Sequence, residues 1–284
     1  MELVGPSLCR ILLDGRPVVG VRTDAGIVPT DLASPLAALV DGVLDLTVVA
    51  EAIARGDEAL DPERVTFLPP IEPRTMLYVG RNYEDHLAEN PRPRQAAPTF
   101  FSKLVSSLVG HRGAIRALPP QHVDYEGELA VVIGQVAHRV ARDQALRVIA
   151  GYTIANDVSD RAVQHVNHQI TMGKGPDTFG PLGPWLVPAA AVGDGSGRRL
   201  RTWVNDELRQ DASTSDLIHD VAACIEAATT TVTLQPGDVI ATGTPAGVGA
   251  YREPPAWLRP GDIVTVEIEG LGRLTNPVVA ADEP

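Results

Sequence analysis

Three acidic residues alternate in the segment VDYEGELAVVIG, which begins at Val123. The two-residue period of a β-strand places Asp124, Glu126 and Glu128 on one face of the predicted strand. Neighbouring carboxylates repel one another, so such a face requires either screening by water or a bound cation. From this segment alone a solvated acidic face is the simpler interpretation, and metal binding is the alternative.

Asp157, a third carboxylate beside the pair Glu126 and Glu128, ends the apolar run GYTIAND. This run predicts a strand that leads into a helix with Ser159 as its N-cap. Three carboxylates without enough Cys or His nearby suit a hard cation such as Mg²⁺ or Mn²⁺, which takes oxygen ligands and keeps positions open for water or substrate. A structural turn at Asp157 is the alternative, and spacing alone leaves the two interpretations evenly balanced.

The N-terminal elements that precede this acidic site differ in pattern from the rest of the chain. Residues 8 to 31 read as short strands separated by turns, and residues 36 to 60 show helical spacing of apolar side chains. The Pro-rich stretch FLPPIEPRT at 67 to 75 then marks a boundary, because proline breaks regular structure. The sequence therefore predicts a small β-rich N-terminal domain over 1–70 and a main domain over 71–284.

The main domain contains more predicted strands than helices. Helices are predicted over 159–168 and 215–228, and strands in TMLYVG, LAVVIG, GYTIAND, RTWVND, DVIATGT and DIVTVEIEG. The segment NYEDHLAEN predicts about two helical turns that end before Pro91 and Pro93. This balance indicates an α+β fold dominated by β-structure.

Composition excludes several classes of protein. The formal net charge of -12 argues against a nucleic-acid binder, which concentrates Lys and Arg to attract phosphates. Cys9 and Cys224 form neither a disulfide framework nor a cysteine zinc site, and we expect free thiols. No apolar stretch approaches the roughly 18 residues of a membrane helix, and the N-terminus lacks a signal peptide pattern, so we expect no membrane partner and a cytoplasmic location.

Several segments, in order from about residue 76 to 277, together resemble the fumarylacetoacetate hydrolase family: VGRNYEDHLAE, PTFFSKLVSSLVG, VDYEGELAVVIG, ANDVSDRAVQ, GKGPDTFGPLGP, VNDELRQDASTSDLIHD and PGDVIATGTPAGVG. The resemblance implies a β-rich catalytic fold, usually in a homodimer, with a smaller N-terminal domain in many bacterial members. It also implies a divalent cation, Mg²⁺ or Mn²⁺ with Ca²⁺ as an alternative.

The resemblance assigns chemical roles to residues of its motifs. It implies that Glu126, Glu128 and Asp157 are metal ligands. It also matches Lys174 to the family's lysine before the DTF segment; without the motif, Lys174 would be assigned to the surface. His86 matches the histidine of the N-Y-x-D-H motif.

Glu89 lies three residues after His86, on the same helical face, where it can orient the histidine or receive a proton from it. An exposed helix pair is the alternative. The resemblance implies that this helix belongs to a mobile lid over the metal, spanning about residues 84 to 97.

Substrate contacts are implied at Arg81, Arg161, Gln164 and Thr244. Arg161 and Gln164 follow Asp157 at spacings that a helix can present near one face, although a polar helix surface gives the same pattern. Thr244, in TGTPAG, matches a carboxylate-binding threonine, and a strand followed by a tight turn is the alternative. The chain departs from the family where Gly175 and Pro176 follow Lys174 and where the helix starts D-V-S-D-R, so the substrate is left open.

The implied chemistry begins with a 2-oxo or 2,4-dioxo acid that chelates the cation. We rank hydrolysis of a C–C bond in an acylpyruvate first, with His86, Glu89 and Lys174 as the catalytic residues. Isomerisation of a 2-hydroxy-dienoate in aromatic-compound breakdown comes second, and decarboxylation of an oxaloacetate-like acid third. A non-catalytic ligand-binding protein on the same fold is the hypothesis from another class.

Overall fold

A computed structural model describes residues 3–54, 58–89, 91, 93–117 and 122–281. The strands are β1 Ser7–Leu13, β2 Arg16–Thr23, β3 Gly26–Pro29, β4 Leu39–Val40, β5 Val43–Leu44, β6 Thr66–Leu68, β7 Met76–Gly80, β8 Thr99–Ser102, β9 Leu108–Val109, β10 Ile115–Ala117, β11 Val123–Asp124, β12 Gly127–Ile133, β13 Ile149–Asn156, β14 Ser159–Asp160, β15 Gly180–Pro188, β16 Arg199–Val204, β17 Glu207–Ser213, β18 Val239–Ala241, β19 Ile263–Ile268 and β20 Gly272–Ala280. The α-helices are α1 Leu46–Ala54, α2 Glu84–Glu89, α3 Arg161–His165, α4 Ile170–Lys174, α5 Ala189–Val192 and α6 Val221–Thr229. Short 3₁₀ helices cover Pro35–Ala38, Val105–Ser107, Arg142–Val148, Val166–His168, Thr214–Asp216 and Gly249–Tyr251.

A large mixed sheet forms the centre of the molecule, in the order β3-β2-β1-β15-β13-β12-β18-β7-β8, with β6 beside β1 and β9 beside β15. A second sheet has the order β10-β20-β19-β16-β17. The β-rich α+β architecture predicted from the sequence is confirmed. The N-terminal strands continue the large sheet, because β1 pairs with β15; the division of the chain at residue 70 stays a prediction.

Strand β12 is buried along its whole length and packs on both faces. Leu129, Val131 and Ile133 belong to one apolar cluster, whereas Ala130 and Val132 belong to another. This alternation follows from the two-residue period of the strand. Strand β12, which contains Glu128 and begins directly after Glu126, is therefore held between two packed layers.

Three local predictions are wrong. The segment from 123 to 133 is not one strand: β11 ends at Asp124 and pairs with β14, and β12 begins at Gly127. Asp160, not Ser159, caps α3, because its carboxylate accepts from the backbone N–H groups of Ala162 and Val163 at 2.9 and 3.2 Å.

The third is the helical prediction for 36–60, which fails before Leu46, where a 3₁₀ turn and the β4–β5 hairpin stand, but holds for α1 over Leu46–Ala54. That segment includes residues 55–57, which lie outside the described residues. Within the described ranges, no helix has the length and apolar character needed to cross a membrane.

Candidate functional site

The three candidate ligands meet where β12 begins and β13 ends. These strands are antiparallel, with Gly127 opposite Asn156, so Glu126 and Glu128 lie beside Asp157. The Asp157 N–H donates to the Glu126 carbonyl oxygen at 2.8 Å and fixes the two segments together. One carboxylate oxygen from each acid lies within 4.8 Å of the others, and all three residues are buried.

Two buried lysines lie against these carboxylates. The Lys174 ammonium donates to Glu126 Oε2 at 2.8 Å and also to Asp157 Oδ2. Lys103 Nζ lies 2.6 Å from Asp157 Oδ1 and 2.9 Å from the Val158 carbonyl oxygen. Burial lowers the pKa of Lys103 to about 8, although Asp157 opposes that shift. Two of the three candidate ligands are therefore paired with protein cations.

Glu128 differs from the other two acids. Its carboxylate accepts the Gly243 N–H at 2.8 Å, and no Lys or Arg of the described residues forms an ion pair with it. Burial raises its pKa well above the usual range, and the charges of Asp157 and Glu126 raise it further. A buried carboxylate without a cation is unfavourable, so this oxygen-rich donor set fits a divalent metal ion.

Arg161 connects the acidic site to a fourth carboxylate. Its Nε donates to Asp124 at 2.9 Å, one terminal nitrogen contacts Glu126 Oε1 at 2.5 Å, and the other donates to Gln164 Oε1 at 3.1 Å. Asp124 therefore does not join the shared face expected from strand alternation, because its carboxylate turns to Arg161 and to the backbone N–H of Gly249 at 2.7 Å.

His86 and Glu89 form a hydrogen-bonded pair on α2. His86 Nδ1 lies 2.9 Å from Glu89 Oε2, and Glu89 Oε1 accepts the Gly247 N–H at 2.7 Å. His86 is buried, and its ring centroid lies 5.8 Å from that of Tyr251. Helix α2 thus holds the dyad geometry expected from the sequence. Whether a lid over residues 84–97 orders on ligand binding stays a prediction, and two residues of that range, Asn90 and Arg92, lie outside the described residues.

The glycine-rich loop over residues 242–251 positions three carboxylates through its backbone. Successive glycine N–H groups donate to Glu128, Glu89 and Asp124 at 2.8, 2.7 and 2.7 Å. Glycine is required at Gly247, because its φ is +103° and a Cβ atom there would lie 1.9 Å from the Arg209 carbonyl oxygen. The loop therefore holds three carboxylates in place together. Glu128 is a candidate ligand, Glu89 is the partner of His86, and Asp124 binds Arg161.

A cavity of about 250 Å³ opens onto this constellation. The sequence-predicted residues that line it are Arg81, His86, Glu126, Glu128, Arg161, Gln164, Lys174 and Thr244. Asp157 and Glu89 lie behind this lining and reach it through their partners Lys174 and His86.

Sequence reasoning missed several residues of the site. Phe101, Tyr251, His165 and His168 also line the cavity. Lys103 pairs with a candidate ligand, and its signal was a lysine within the otherwise largely apolar segment PTFFSKLVSSLVG.

Known proteins are similar to this chain in sequence and fold. The family model for the fumarylacetoacetate (FAA) hydrolase C-terminal region matches residues 75–279. A bovine relative, oxaloacetate tautomerase FAHD2B, mitochondrial, is 39% identical over 283 residues, covering 98% of this chain and 89% of the relative. A fumarylacetoacetate hydrolase structure from psychrophilic Exiguobacterium antarcticum has a TM-score of 0.83 and 35% identity, covering 97% of this chain and 100% of that one.

A second solved structure, 2-hydroxyhepta-2,4-diene-1,7-dioate isomerase from Mycobacterium marinum, has a TM-score of 0.76 and 34% identity, covering 98% of this chain and 100% of that one. These matches extend over nearly the whole length of both partners. The chain is therefore an enzyme of the fumarylacetoacetate hydrolase family, which depends on divalent metal ions.

Proposed function

We propose that this enzyme moves a proton next to the carbonyl group of a small 2-oxo dicarboxylic acid, the keto–enol tautomerisation of an oxaloacetate-type substrate. The observation that carries this proposal is the placement of the His86–Glu89 pair. His86 lines the same cavity as Glu126 and Glu128, and its Nδ1 is engaged by Glu89 at 2.9 Å. Nε2 is then the ring nitrogen left to exchange a proton with a substrate.

The metal site supplies the electrophile for this reaction. Glu126, Glu128 and Asp157 would hold the ion, and Mg²⁺ or Mn²⁺ suits their all-oxygen donor set, with Ca²⁺ as the alternative. An ion held there would supply a Lewis acid for the carbonyl and carboxylate oxygens of the substrate.

The proton transfer itself falls to the side chains of the cavity. His86 takes the proton from the carbon next to the substrate carbonyl, and Glu89 holds the imidazole in place and stabilises its charged form. Lys174 lies where it stabilises the negative charge that develops on the substrate. Transfer of this proton from His86 to the enolate oxygen gives the enol, and the reverse transfer to carbon gives the keto form, so a C–H bond is exchanged for an O–H bond and no carbon–carbon bond is broken.

Substrate carboxylates have matching donors in the cavity. Arg161 and Gln164 lie on α3, Arg81 follows β7, and Thr244 lies in the glycine-rich loop, and all four line the same space. A guanidinium group binds a carboxylate through paired N–H donors, which favours a dicarboxylic acid over a neutral ketone. Arg81 can offer such a pair, whereas Nε and both terminal nitrogens of Arg161 already contact Asp124, Glu126 and Gln164. The bovine tautomerase, which aligns with almost the whole chain, supports this substrate class.

Hydrolysis of a C–C bond in an acylpyruvate is the second candidate. The same His86–Glu89 pair can deprotonate a water molecule for attack on a distal carbonyl, and the Exiguobacterium hydrolase structure supports it. The Mycobacterium isomerase supports the related rearrangement of 2-hydroxy-dienoates in aromatic-compound breakdown. All of these reactions use the same metal platform and differ in what happens after the proton is removed.

A substrate panel separates these candidates. The metal-stripped protein is assayed with oxaloacetate, acylpyruvates and a hydroxymuconate-type dienoate, with and without Mg²⁺, Mn²⁺ or Ca²⁺. Metal-dependent interconversion of enol and keto oxaloacetate, faster than any cleavage of acylpyruvates, is the expected result. Faster release of pyruvate from an acylpyruvate would replace the tautomerase by the hydrolase, and absence of turnover with every substrate and metal would leave a binding protein.

Assembly and location stay predictions from the sequence. We expect a homodimer, and sedimentation velocity distinguishes it from a monomer of 30.1 kDa. We also expect the cytoplasm as its compartment, and fractionation of cells that produce the protein tests this.

A further inference from the structure

A buried glutamine joins the strand of the candidate ligands to the glycine-rich loop. Gln210 belongs to β17 in the second sheet and is 1% exposed. Its Oε1 accepts the Gly127 N–H at 3.0 Å, between Glu126 and Glu128 in the chain. Its Nε2 donates to the Thr244 hydroxyl at 2.7 Å and to the Pro245 carbonyl oxygen at 2.8 Å.

The orientation of this amide follows from its partners alone. A backbone N–H can only donate, so Gly127 requires the amide oxygen on its side. A carbonyl oxygen can only accept, so Pro245 requires the amide nitrogen on the other side. The atom that faces Thr244 is therefore an N–H donor, and the Thr244 oxygen must accept from it.

The direction of that hydrogen bond determines whether the Thr244 hydroxyl can still donate its proton to another group. A hydroxyl has one proton and two acceptor lone pairs, and here a lone pair is used by Gln210. Within the described part of the chain, no acceptor for the Thr244 proton is present. Thr244 lines the cavity and Gln210 does not, so the proton is available to a ligand in the cavity.

We propose that Gln210 is a positioning residue that keeps the Thr244 hydroxyl as a hydrogen-bond donor to a substrate carboxylate. The proposal rests on the proposed function for the carboxylate and on the amide geometry for the donor. The hydroxyl then offers its proton to an anionic oxygen, whereas an ammonium or amide N–H group meets only its second lone pair. Gln210 thereby contributes to specificity without touching the substrate.

The test measures binding rather than turnover, so it is independent of which reaction the enzyme catalyses. Oxalate, a dicarboxylate that does not react, is titrated calorimetrically into Mn²⁺-loaded protein. Thr244→Val removes the hydroxyl and keeps the shape, and we expect it to weaken oxalate binding about tenfold or more, as for a lost hydrogen bond to a charged group. Thr244→Ser keeps the hydroxyl and is expected to bind within about threefold of the wild type, a difference of about 0.7 kcal/mol.

Substitution of Gln210 then tests whether Gln210 affects oxalate binding through Thr244. Gln210→Glu keeps the acceptor for Gly127 but turns an acceptor oxygen to Thr244, so the threonine proton is drawn away from the cavity. The same change removes the donor to the Pro245 carbonyl oxygen. We expect the same loss of oxalate affinity as in Thr244→Val, and no further loss in the double variant. Mn²⁺ affinity measured without oxalate is expected to stay unchanged, and Gln144→Glu on the exposed surface is the matched control.

Three results would overturn the proposal. The first is a loss of oxalate affinity that adds up in the double variant, because independent sites are additive. The second is Mn²⁺ affinity that falls as far as oxalate affinity, which indicates a general support of β12. The third is a wild-type protein that binds Mn²⁺ but not oxalate. If the buried carboxylate of Gln210→Glu prevents folding, Gln210→Met removes the amide that orients the Thr244 hydroxyl without adding a charge. A loss of oxalate affinity that disappears when Thr244 is already valine is then the expected result. Failure of the proposed reaction would show separately, as absence of turnover with oxalate binding intact.

Discussion

Replacement of Glu89 by glutamine tests the proposed base while barely changing the shape of the site. Glu89 Oε1 accepts the Gly247 N–H at 2.7 Å, and Oε2 faces His86 Nδ1 at 2.9 Å. A glutamine must keep its oxygen towards Gly247, since that backbone group can only donate. Its amide nitrogen then faces Nδ1, which must accept. The ring proton moves to Nε2, the nitrogen that has to be unprotonated in order to act as a base.

The size of the effect follows from the lost charge. A carboxylate about 4 Å from the centre of an imidazolium, at an effective dielectric constant of about 20, stabilises it by about 4 kcal/mol. At 1.4 kcal/mol for each factor of ten, this corresponds to about a thousandfold in rate. The wrong tautomer acts in the same direction. We therefore expect Glu89→Gln to lower kcat by about 10³, within the range that general acid–base catalysis supplies.

The assay follows the enol absorbance of oxaloacetate with saturating Mg²⁺, and Mn²⁺ affinity is measured in parallel by calorimetry. Metal affinity is expected to remain that of the wild type, because Glu89 is not a candidate ligand. Glu84→Gln on the same helix is the control, since Glu84 is exposed and pairs with Arg94 at 2.5 Å. Activity of Glu89→Gln within about threefold of the wild type would refute the tautomer argument. Equal losses in both variants would point instead to disruption of the helix.

The roles of the other residues separate in further measurements. We expect Glu126→Ala to weaken Mn²⁺ binding and turnover together, whereas His86→Ala keeps Mn²⁺ affinity and loses about 10²-fold or more in turnover; unchanged turnover would remove His86 from the mechanism. Lys103→Met leaves Asp157 with one buried cation fewer, so the free energy of unfolding measured with urea should fall by about 3–5 kcal/mol; a change below about 1 kcal/mol would contradict the buried ion pair. Hydrogen exchange over residues 84–97 should slow when oxalate binds to the Mn²⁺-loaded protein, because a short helix bounded by prolines needs contacts to be ordered; equal protection would show a preformed lid.

The sequence was most informative where side-chain identity and strand ends decide the outcome. The sequence predicts that Glu126, Glu128 and Asp157 converge, and their oxygens do lie together. The reason is that β12 and β13 are antiparallel, so the start of β12 lies beside the end of β13. Asp124 was placed on the same face, and this was wrong. The strand is interrupted before Gly127, and period-two reasoning holds only while the chain stays extended. A break of two residues cannot be read from composition.

Lys103 shows a different limit of sequence reasoning. Lysine is seldom fully buried, so an isolated lysine is assigned to the surface unless a partner is known. The partner here, Asp157, is 54 residues away in the chain. Only the fold brings the two together, although the apolar residues around Lys103 in PTFFSKLVSSLVG hold the signal that the segment is largely buried.

The binding partners of the glycine-rich loop cannot be predicted from its residue types. Its residues read as a strand followed by a tight turn, which is correct locally and says nothing about what the backbone binds. The partners of Gly243, Gly247 and Gly249 lie 115, 158 and 125 residues away. A backbone N–H is the same group at every non-proline residue, so no residue type records its role. A Cβ at Gly247 would force the loop away from Arg209, and Glu89 would lose the donor that holds it against His86. The requirement for glycine at this position is therefore set by the position of a carboxylate on another element, which is why its catalytic consequence becomes visible only in the folded chain.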